Sequence, residues 1–302
     1  MKIVINLTTD DRKVIRLSVF NQNMIIMKIC AVTMVRNDDF FLRRWVAYYG
    51  AELGMSNLYV YFDGKDQEIP EWCSGVHAVA CDKIPGQVVE AEKIRLKFLS
   101  DRAAELLESY DLVIGTDADE FLVVDPDLHQ SLAEFLGSRK IDITVSGLGV
   151  DVGQHKGCEK EIDGERPFLE QRKYGLLSTR YSKPSVIARP VTWGSGFHRI
   201  KGHNFHIVEG LFLFHFGYFD LKRIEARFND KDRKAAGWTK HLARRARTIE
   251  VVSRKKALDW DRWTRFARIV QNLVRPPYAW NKPAMFNLDI VVRIPDRFSK
   301  II

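Results

Sequence analysis

The sequence predicts an α/β fold, a mostly parallel sheet flanked by helices with a mainly helical, basic segment at the C-terminal end. Three observations predict it. Apolar runs of buried-strand length alternate with longer stretches whose aromatic residues recur at helical spacing. The joints between them are short, which is the pattern of strand-helix-strand units wound into a parallel sheet. Positive charge is concentrated late in the chain.

The strand pattern begins afresh at Met27, so residues 1–26 read as an extension, either an extra edge strand or the product of an upstream start. Residues 28–35 form the first apolar run, closed by Arg36-Asn37-Asp38-Asp39. Phe40, Phe41, Trp45, Tyr48 and Tyr49 follow at helical spacing until Gly50 and Gly54 stop the helix. A second strand covers 57–62 and ends in Asp63-Gly64. A short strand near Val76–Ala80, a long helix from about Val88 to Glu108 and a strand over 111–116 come next. A helix at 128–136 and a strand at 141–146 continue the alternation. Residues 147–165 then loosen into a Gly- and charge-rich excursion of the kind found on the substrate side of α/β domains. Residues 27–220 thus read as the main domain. Residues 221–302 read as the basic, mainly helical segment.

A chain of 302 residues with 46% apolar and 28% charged residues suits one sizeable α/β domain with an appendage. No stretch approaches the roughly 18 uncharged apolar residues of a membrane span, and no basic-apolar-small leader is present. The expectation is a cytoplasmic protein, at most peripheral at the inner face of the membrane. Cys30, Cys73, Cys81 and Cys158 form no C-x-x-C pair, which argues against a zinc site or a disulfide framework. Gly147-Leu148-Gly149 lacks dinucleotide spacing and no phosphate-cradling loop occurs, which disfavours Rossmann oxidoreductases and P-loop enzymes.

Residues 222–275 hold seventeen Lys/Arg against six Asp/Glu, which leaves the rest of the chain slightly acidic. That segregation points to an anionic partner, a membrane surface or an anionic acceptor. Nucleic acid is disfavoured, because Trp238, Trp260, Trp263 and Phe266 recur as the buried face of a helix does.

The chemistry centres on Asp117-Ala118-Asp119-Glu120, at the carboxyl end of the apolar run 111–116. Ligands collect at that end of parallel strands. On an extended backbone, residues two apart put both carboxylates on one side, and two hard oxygens suit Mg²⁺ or Mn²⁺ shared with a diphosphate. A solvated turn after a strand is the bland alternative.

The run from Lys28 to about Arg227 resembles the family 2-like glycosyltransferases with the GT-A fold, in the branch carrying an Asp-x-Asp-Glu-Phe motif. The matching pieces, in order, are Val35-Arg36-Asn37-Asp38, Tyr59-Val60-Tyr61-Phe62-Asp63-Gly64, Pro85-Gly86-Gln87, Asp117-Ala118-Asp119-Glu120-Phe121-Leu122, Lys183-Pro184-Ser185-Val186 and His215-Phe216-Gly217-Tyr218. The resemblance implies a nucleoside-diphosphate-sugar donor, transfer to an acceptor hydroxyl of a glycan or lipid-linked molecule with inversion, and a divalent metal, Mn²⁺ or Mg²⁺. It implies Asp117 and Asp119 as metal ligands, and Arg36, Asn37 and Asp63 in the nucleotide pocket. Gln87, Asp117 and Lys183 are placed on the donor by the same match. Asp38 stands where the family usually has Glu, and Asp63-Gly64-Lys65 replaces the commoner Asp-Asn-Gly-Ser.

His215, in an apolar run, reads either as a hydrogen-bonded core residue or, by the resemblance, as the third metal ligand. His198 reads as a contact to diphosphate or acceptor. His203 and His206 read as surface histidines. Inversion needs a base for the acceptor hydroxyl, and Asp151, Asp163, Glu165, Glu170 and Glu209 are the candidates. Glu170 leads because it resembles a family Glu-Arg segment, with Asp151 beside it as the second catalytic assignment. The competing class is a non-catalytic nucleotide-sugar or glycan-binding protein on the same scaffold.

Overall fold

The computed structural model of the protein describes residues 27–202, 205–229, 247–274, 283 and 288–302. The readings of residues 1–26, His203 and Trp238 lie outside the described residues.

In chain order the elements are β1 (Ile29–Val35), α1 (Asp39–Leu53), β2 (Leu58–Asp63), β3 (His77–Cys81), α2 (Val88–Leu106), β4 (Leu112–Gly115), β5 (Glu120–Val124), α3 (Leu132–Gly137), β6 (Thr144–Val152), α4 (Phe168–Gln171), β7 (Tyr174–Leu177) and β8 (Val186–Ile187). They continue with β9 (Ile207–His215), α5 (Leu221–Asn229), α6 (Arg247–Arg254), α7 (Trp260–Leu273) and β10 (Val291–Arg293). This is a mixed α/β fold with a central parallel sheet flanked by helices. The strand order is β10-β7-β6-β8-β4-β1-β2-β3, with β9 between β5 and β6. Strands β3, β2, β1 and β4 run parallel to one another. Antiparallel pairings of β8, β7 and β10 extend the sheet on the other side.

β1 is buried at every position, as a central parallel strand covered on both faces must be. One face meets α1, which buries Phe41, Leu42, Trp45, Val46, Tyr48 and Tyr49. Each fully buried Phe or Leu contributes roughly 1.5–3 kcal/mol. The polar ends of the larger rings are also satisfied. Trp45 Nε1 donates to Thr116 Oγ1 at 2.9 Å, and Tyr49 Oη accepts the Leu122 N–H at 2.9 Å. These bonds fasten α1 to the chain on both sides of the acidic cluster. The other face packs Cys30, Val32 and Met34 with Leu96, Leu99 and Ala103 of α2.

Two stretches differ from the expectation. The chain does not stay extended through the acidic cluster but turns there and re-enters as β5, which the sequence pattern does not announce. β6 runs on to Val152, into the stretch expected to loosen. Its glycines are the reason they resemble a loop: a Cβ at Gly149 would collide with the backbone of Tyr181 and Ser182, and one at Gly147 would sit 2.9 Å from the Phe212 carbonyl carbon. They are present because neighbouring backbone passes close, not because the chain bends. The C-terminal segment also contributes a strand, since β10 pairs with β7.

Gly149→Ala should therefore destabilise the fold by about 1–3 kcal/mol, the cost of overpacking against backbone that cannot yield. Urea unfolding measures it. An unchanged midpoint would show that β6 and residues 181–182 separate easily.

Candidate functional site

The parallel strands β1, β2 and β4 end on one side of the sheet, and a cleft of about 490 Å³ opens there. Its wall takes Arg36 and Asn37 from the end of β1, Asp63 from β2, Lys83 and Gly86 beyond β3, Glu92 and Arg95 from α2, and the turn 117–120 after β4. Tyr181, Lys183, Gly196 and His198 close it on one side, and His215, Tyr218 and Arg227 on another.

The residues at its floor are aligned by strand register. Glu120 is the register partner of His215 across β5 and β9, and Asp151 is the partner of His215 across β9 and β6. The His215 Nδ1–H donates to Asp151 Oδ1 at 2.7 Å, which leaves Nε2 as the nitrogen facing Asp119, 3.9 Å from its Oδ2. Tyr181 stacks on the imidazole at 3.8 Å between centroids. A carboxylate behind the ring and a bare nitrogen in front is the arrangement that orients a metal-ligating histidine.

Asp119, Glu120 and His215 form a group whose ligand atoms lie within 4.8 Å of one another. Gly217 keeps the space between two of them open. A Cβ there would fall 2.6 Å from His215 Nε2 and 2.8 Å from Asp119 Oδ2. Imidazole nitrogen and carboxylate oxygen are both ligands of divalent cations, so the residues fit a divalent ion.

Asp117 does not join this group. The Glu120 N–H bonds to the Asp117 carbonyl at 3.0 Å, closing a β-turn, so the carboxylates expected side by side take different partners. Asp117 Oδ1 accepts from Arg95 at 2.8 Å and its Oδ2 lies 3.4 Å from Lys183 Nζ. Burial pushes the Asp117 carboxyl up, but the two cations prevail and hold it well below the usual carboxylate range. Glu120 is buried against the ammonium of Lys183. Burial raises its carboxyl above the usual range even with that partner. Arg95 also chelates Glu92 at 2.9 and 3.0 Å, and Glu92 accepts the Gly196 N–H at 2.7 Å. One charged chain therefore runs from Gly196 to Glu120 through Glu92, Arg95, Asp117 and Lys183.

Arg36 forks onto Asp66 at 2.8 and 3.0 Å and donates to the Asp63 carbonyl at 2.6 Å. Asp63 Oδ1 accepts the Ile84 N–H at 2.7 Å. Asn37 and Phe197 both adopt left-handed backbone, at φ 48° and 57°. For residues other than glycine such conformations cost of order 1–3 kcal/mol and gather at functional sites. His198 faces the cleft with Nδ1 bonded to the Arg180 carbonyl at 2.7 Å.

The structure thus brings Arg36, Asn37, Asp63, Asp117, Asp119, Lys183, His198 and His215 to one cleft. Gln87 is exposed at the N-terminal boundary of α2 and is not in the wall, although its neighbours Gly86 and Val88 are. None of the five candidate bases is in the wall either. Glu170 is paired with Arg166 at 2.6 Å and Glu209 with Arg268 at 2.8 Å. Asp163 and Glu165 belong to an exposed turn, where Asp163 Oδ1 accepts the Glu165 N–H. Asp151 is buried behind His215, with one oxygen on the imidazole and the other on the Thr248 hydroxyl, so neither is free for an acceptor. Arg95, Glu92, Tyr181 and Arg227 are wall residues that sequence reasoning missed. Arg227 donates to the Gly217 carbonyl at 2.8 Å and reaches Asp38 at 3.1 Å and Asp119 at 3.6 Å.

No family model and no curated protein matches the chain. Among solved structures it is similar to a mannose-1-phosphate geranyltransferase from Thermus thermophilus, at 10% identity over 90% of this chain and 77% of that one, with a TM-score of 0.27. A likeness of that size assigns no residue and no activity, which leaves the cleft itself as the ground for a function.

Because the gap beside Gly217 lies between two donor atoms, Gly217→Ala should weaken Mn²⁺ or Mg²⁺ binding by about 10-fold or more, on the scale of disturbed metal sites. Calorimetric titration reads the affinity, and melting in EDTA checks the fold. Wild-type affinity in the variant would place any ion elsewhere.

Proposed function

We propose that the protein is a divalent-metal-dependent transferase that moves a sugar from a nucleoside-diphosphate sugar to an acceptor hydroxyl. The observation that carries this reading is the Asp119–His215 pair, with Nε2 turned toward the carboxylate by Asp151 and Gly217 leaving room between them, at the carboxyl ends of parallel strands. The resemblance of the six motif pieces to GT-A glycosyltransferases supports the same reading.

Charge supports it as well. Arg36, Lys83, Arg95, Lys183 and Arg227 face six carboxylates, Asp38, Asp63, Glu92, Asp117, Asp119 and Glu120, around the cleft. A diphosphate entering without a cation meets a slightly negative wall. A divalent ion held by Asp119 and His215 would turn the balance positive and would supply Lewis-acid stabilisation for a diphosphate leaving group. Asn37 and Asp63, at the ends of β1 and β2, take the nucleoside side. Lys83 and Arg227 flank the phosphates. Arg95 and Lys183 hold the acidic turn in place through Asp117 and Glu120, and His198 faces the sugar or the acceptor.

The acceptor is a glycan or lipid-linked hydroxyl compound, met at an anionic membrane surface by the basic C-terminal segment. Among the described residues no helix is long and apolar enough to cross a membrane.

Mn²⁺ should raise the melting temperature, and UDP or GDP should raise it further only when Mn²⁺ is present, since ligands that bind the native state stabilise it. Asp119→Ala and His215→Ala should each lower sugar-nucleotide turnover by about 10²-fold or more, the equivalent of a few kcal/mol of lost leaving-group stabilisation. Asp119→Ala should melt in EDTA close to the wild type, whereas His215→Ala, which removes a buried ring stacked on Tyr181 and the partner of Asp151, should melt lower. Turnover unaffected by EDTA, or by both substitutions, would remove the metal from the reaction. Nucleotide binding with no turnover on any sugar donor would leave a binding protein on this scaffold.

A further inference from the structure

We propose that Thr248, on α6 of the C-terminal segment, is a positioning residue of the metal centre, acting on His215 through Asp151. The inference rests on the metal reading of the Asp119–His215 pair.

A ligating imidazole has to keep its ring plane and its proton on the far nitrogen. Here the Nδ1–H bond to Asp151 Oδ1 does both, provided the carboxylate itself is fixed. Asp151 is 5% exposed, so its second oxygen cannot rely on solvent. The Thr248 hydroxyl, itself buried, donates to that oxygen. Without this donor a buried carboxylate oxygen lacks a partner, and the side chain gains reason to rotate away from the imidazole.

α6 is held in place by other means. A Cβ on Gly153 would lie 3.0 Å from the Thr248 methyl and from the Val252 Cγ2 methyl, so the helix rests directly on the chain just after β6. Val251 and Val252 pack with Val291, Tyr174 and Leu176. Lys156 N–H donates to Ser253 Oγ at 3.0 Å, and Arg247 pairs with Asp289 at 2.8 Å. The Thr248 hydroxyl and methyl therefore have separable tasks. The methyl packs the helix and the hydroxyl holds Asp151.

That separation sets the experiment. Thr248→Val keeps the shape and removes the hydroxyl; Thr248→Ser keeps the hydroxyl and removes the methyl. Mn²⁺ affinity is measured by calorimetry and by the electron paramagnetic resonance of free Mn²⁺, with melting of each variant in EDTA as the fold check. Thr248→Val should lose about 10-fold in Mn²⁺ affinity, the lower end for loss of an outer-sphere partner, while Thr248→Ser stays within about 2-fold of wild type. A purely structural role gives the opposite order, with Thr248→Ser the more damaged in melting and neither variant selectively weak for Mn²⁺, and that result overturns the proposal. If Thr248→Val does not fold, Thr248→Ala, which also lacks the hydroxyl, is compared with Thr248→Ser instead. His215→Ala separates the two levels of inference. Loss of Mn²⁺ binding there together with full affinity in Thr248→Val ends the positioning role and leaves the metal site standing. Absence of Mn²⁺ binding in the wild type ends both.

Discussion

The register of β9 is the constraint on which the site depends. β9 lies between β5 and β6, and the pairing on each side brings Glu120, His215 and Asp151 abreast. A slip of one residue would turn His215 to the opposite face of the sheet. That face holds Phe212 and Phe214, packed on Trp260 and Phe298 at centroid distances of 4.9 to 6.0 Å. An imidazole placed there would have no carboxylate and little solvent, at a cost of about 1–3 kcal/mol beyond the lost aromatic packing. The aromatic layer on one face thus fixes the chemistry on the other. The Phe216 N–H then bonds to the Asp119 carbonyl at 2.9 Å and ties the end of β9 to the acidic turn.

The charged chain beneath the cleft serves a related end. Buried ion pairs are poor sources of stability, because desolvation consumes much of their attraction. Here the charges alternate in sign from Glu92 to Arg95, Asp117, Lys183 and Glu120, so every inner member has an opposite charge on each side. Their effect is geometric. Arg95 reaches the turn from α2 and Lys183 reaches it from the segment before β8, and between them they engage the first and last residues of 117–120. Asp119, the carboxylate left over, is the one directed to His215 and Arg227. Glu92 extends the same chain to Gly196 and so couples the left-handed turn at 196–197 to the acidic motif.

The parts of the fold legible in the sequence are those whose signal is local. β1, α1, β2, α2 and β4 appear near their expected bounds because a buried strand or an aromatic helix face shows in its own residues. β5 was hidden because Asp117–Glu120 is a turn whose sequence continues smoothly into Phe121-Leu122, with no glycine or proline to mark the reversal. The same turn is why Asp117, expected beside Asp119, instead meets Arg95 and Lys183. Candidate bases chosen by position along the chain fall outside the cleft, since which carboxylate faces an acceptor is decided by packing. Arg95 lies in mid-helix among other charged residues, and nothing local separates it from a solvated lysine such as Lys97, which pairs with Asp101 on the exposed face.

The basic C-terminal segment shows how far a charge count along a sequence can be carried. Its excess suggests a strongly positive surface, yet many of its cations are engaged within the chain. Arg223 lies over the Phe40 ring at 3.2 Å, Arg227 enters the cleft, Arg247 and Lys255 both meet Asp289, and Arg268 meets Glu209. Trp260 is buried against Phe214 and Phe298, as its helical spacing implied, while Phe266 on the other side of α7 is exposed. An ion pair spends its field on its partner, so the potential such a segment projects is smaller than its formal charge, and it decays within roughly 8 Å at physiological salt. What the described part of the segment does contribute directly is local: Arg227 to the wall of the cleft, Thr248 to the carboxylate behind the histidine, and β10 to the edge of the sheet beside β7. These contacts are made on the folded domain itself, so the described parts of 221–302 belong physically to the structure that builds the site.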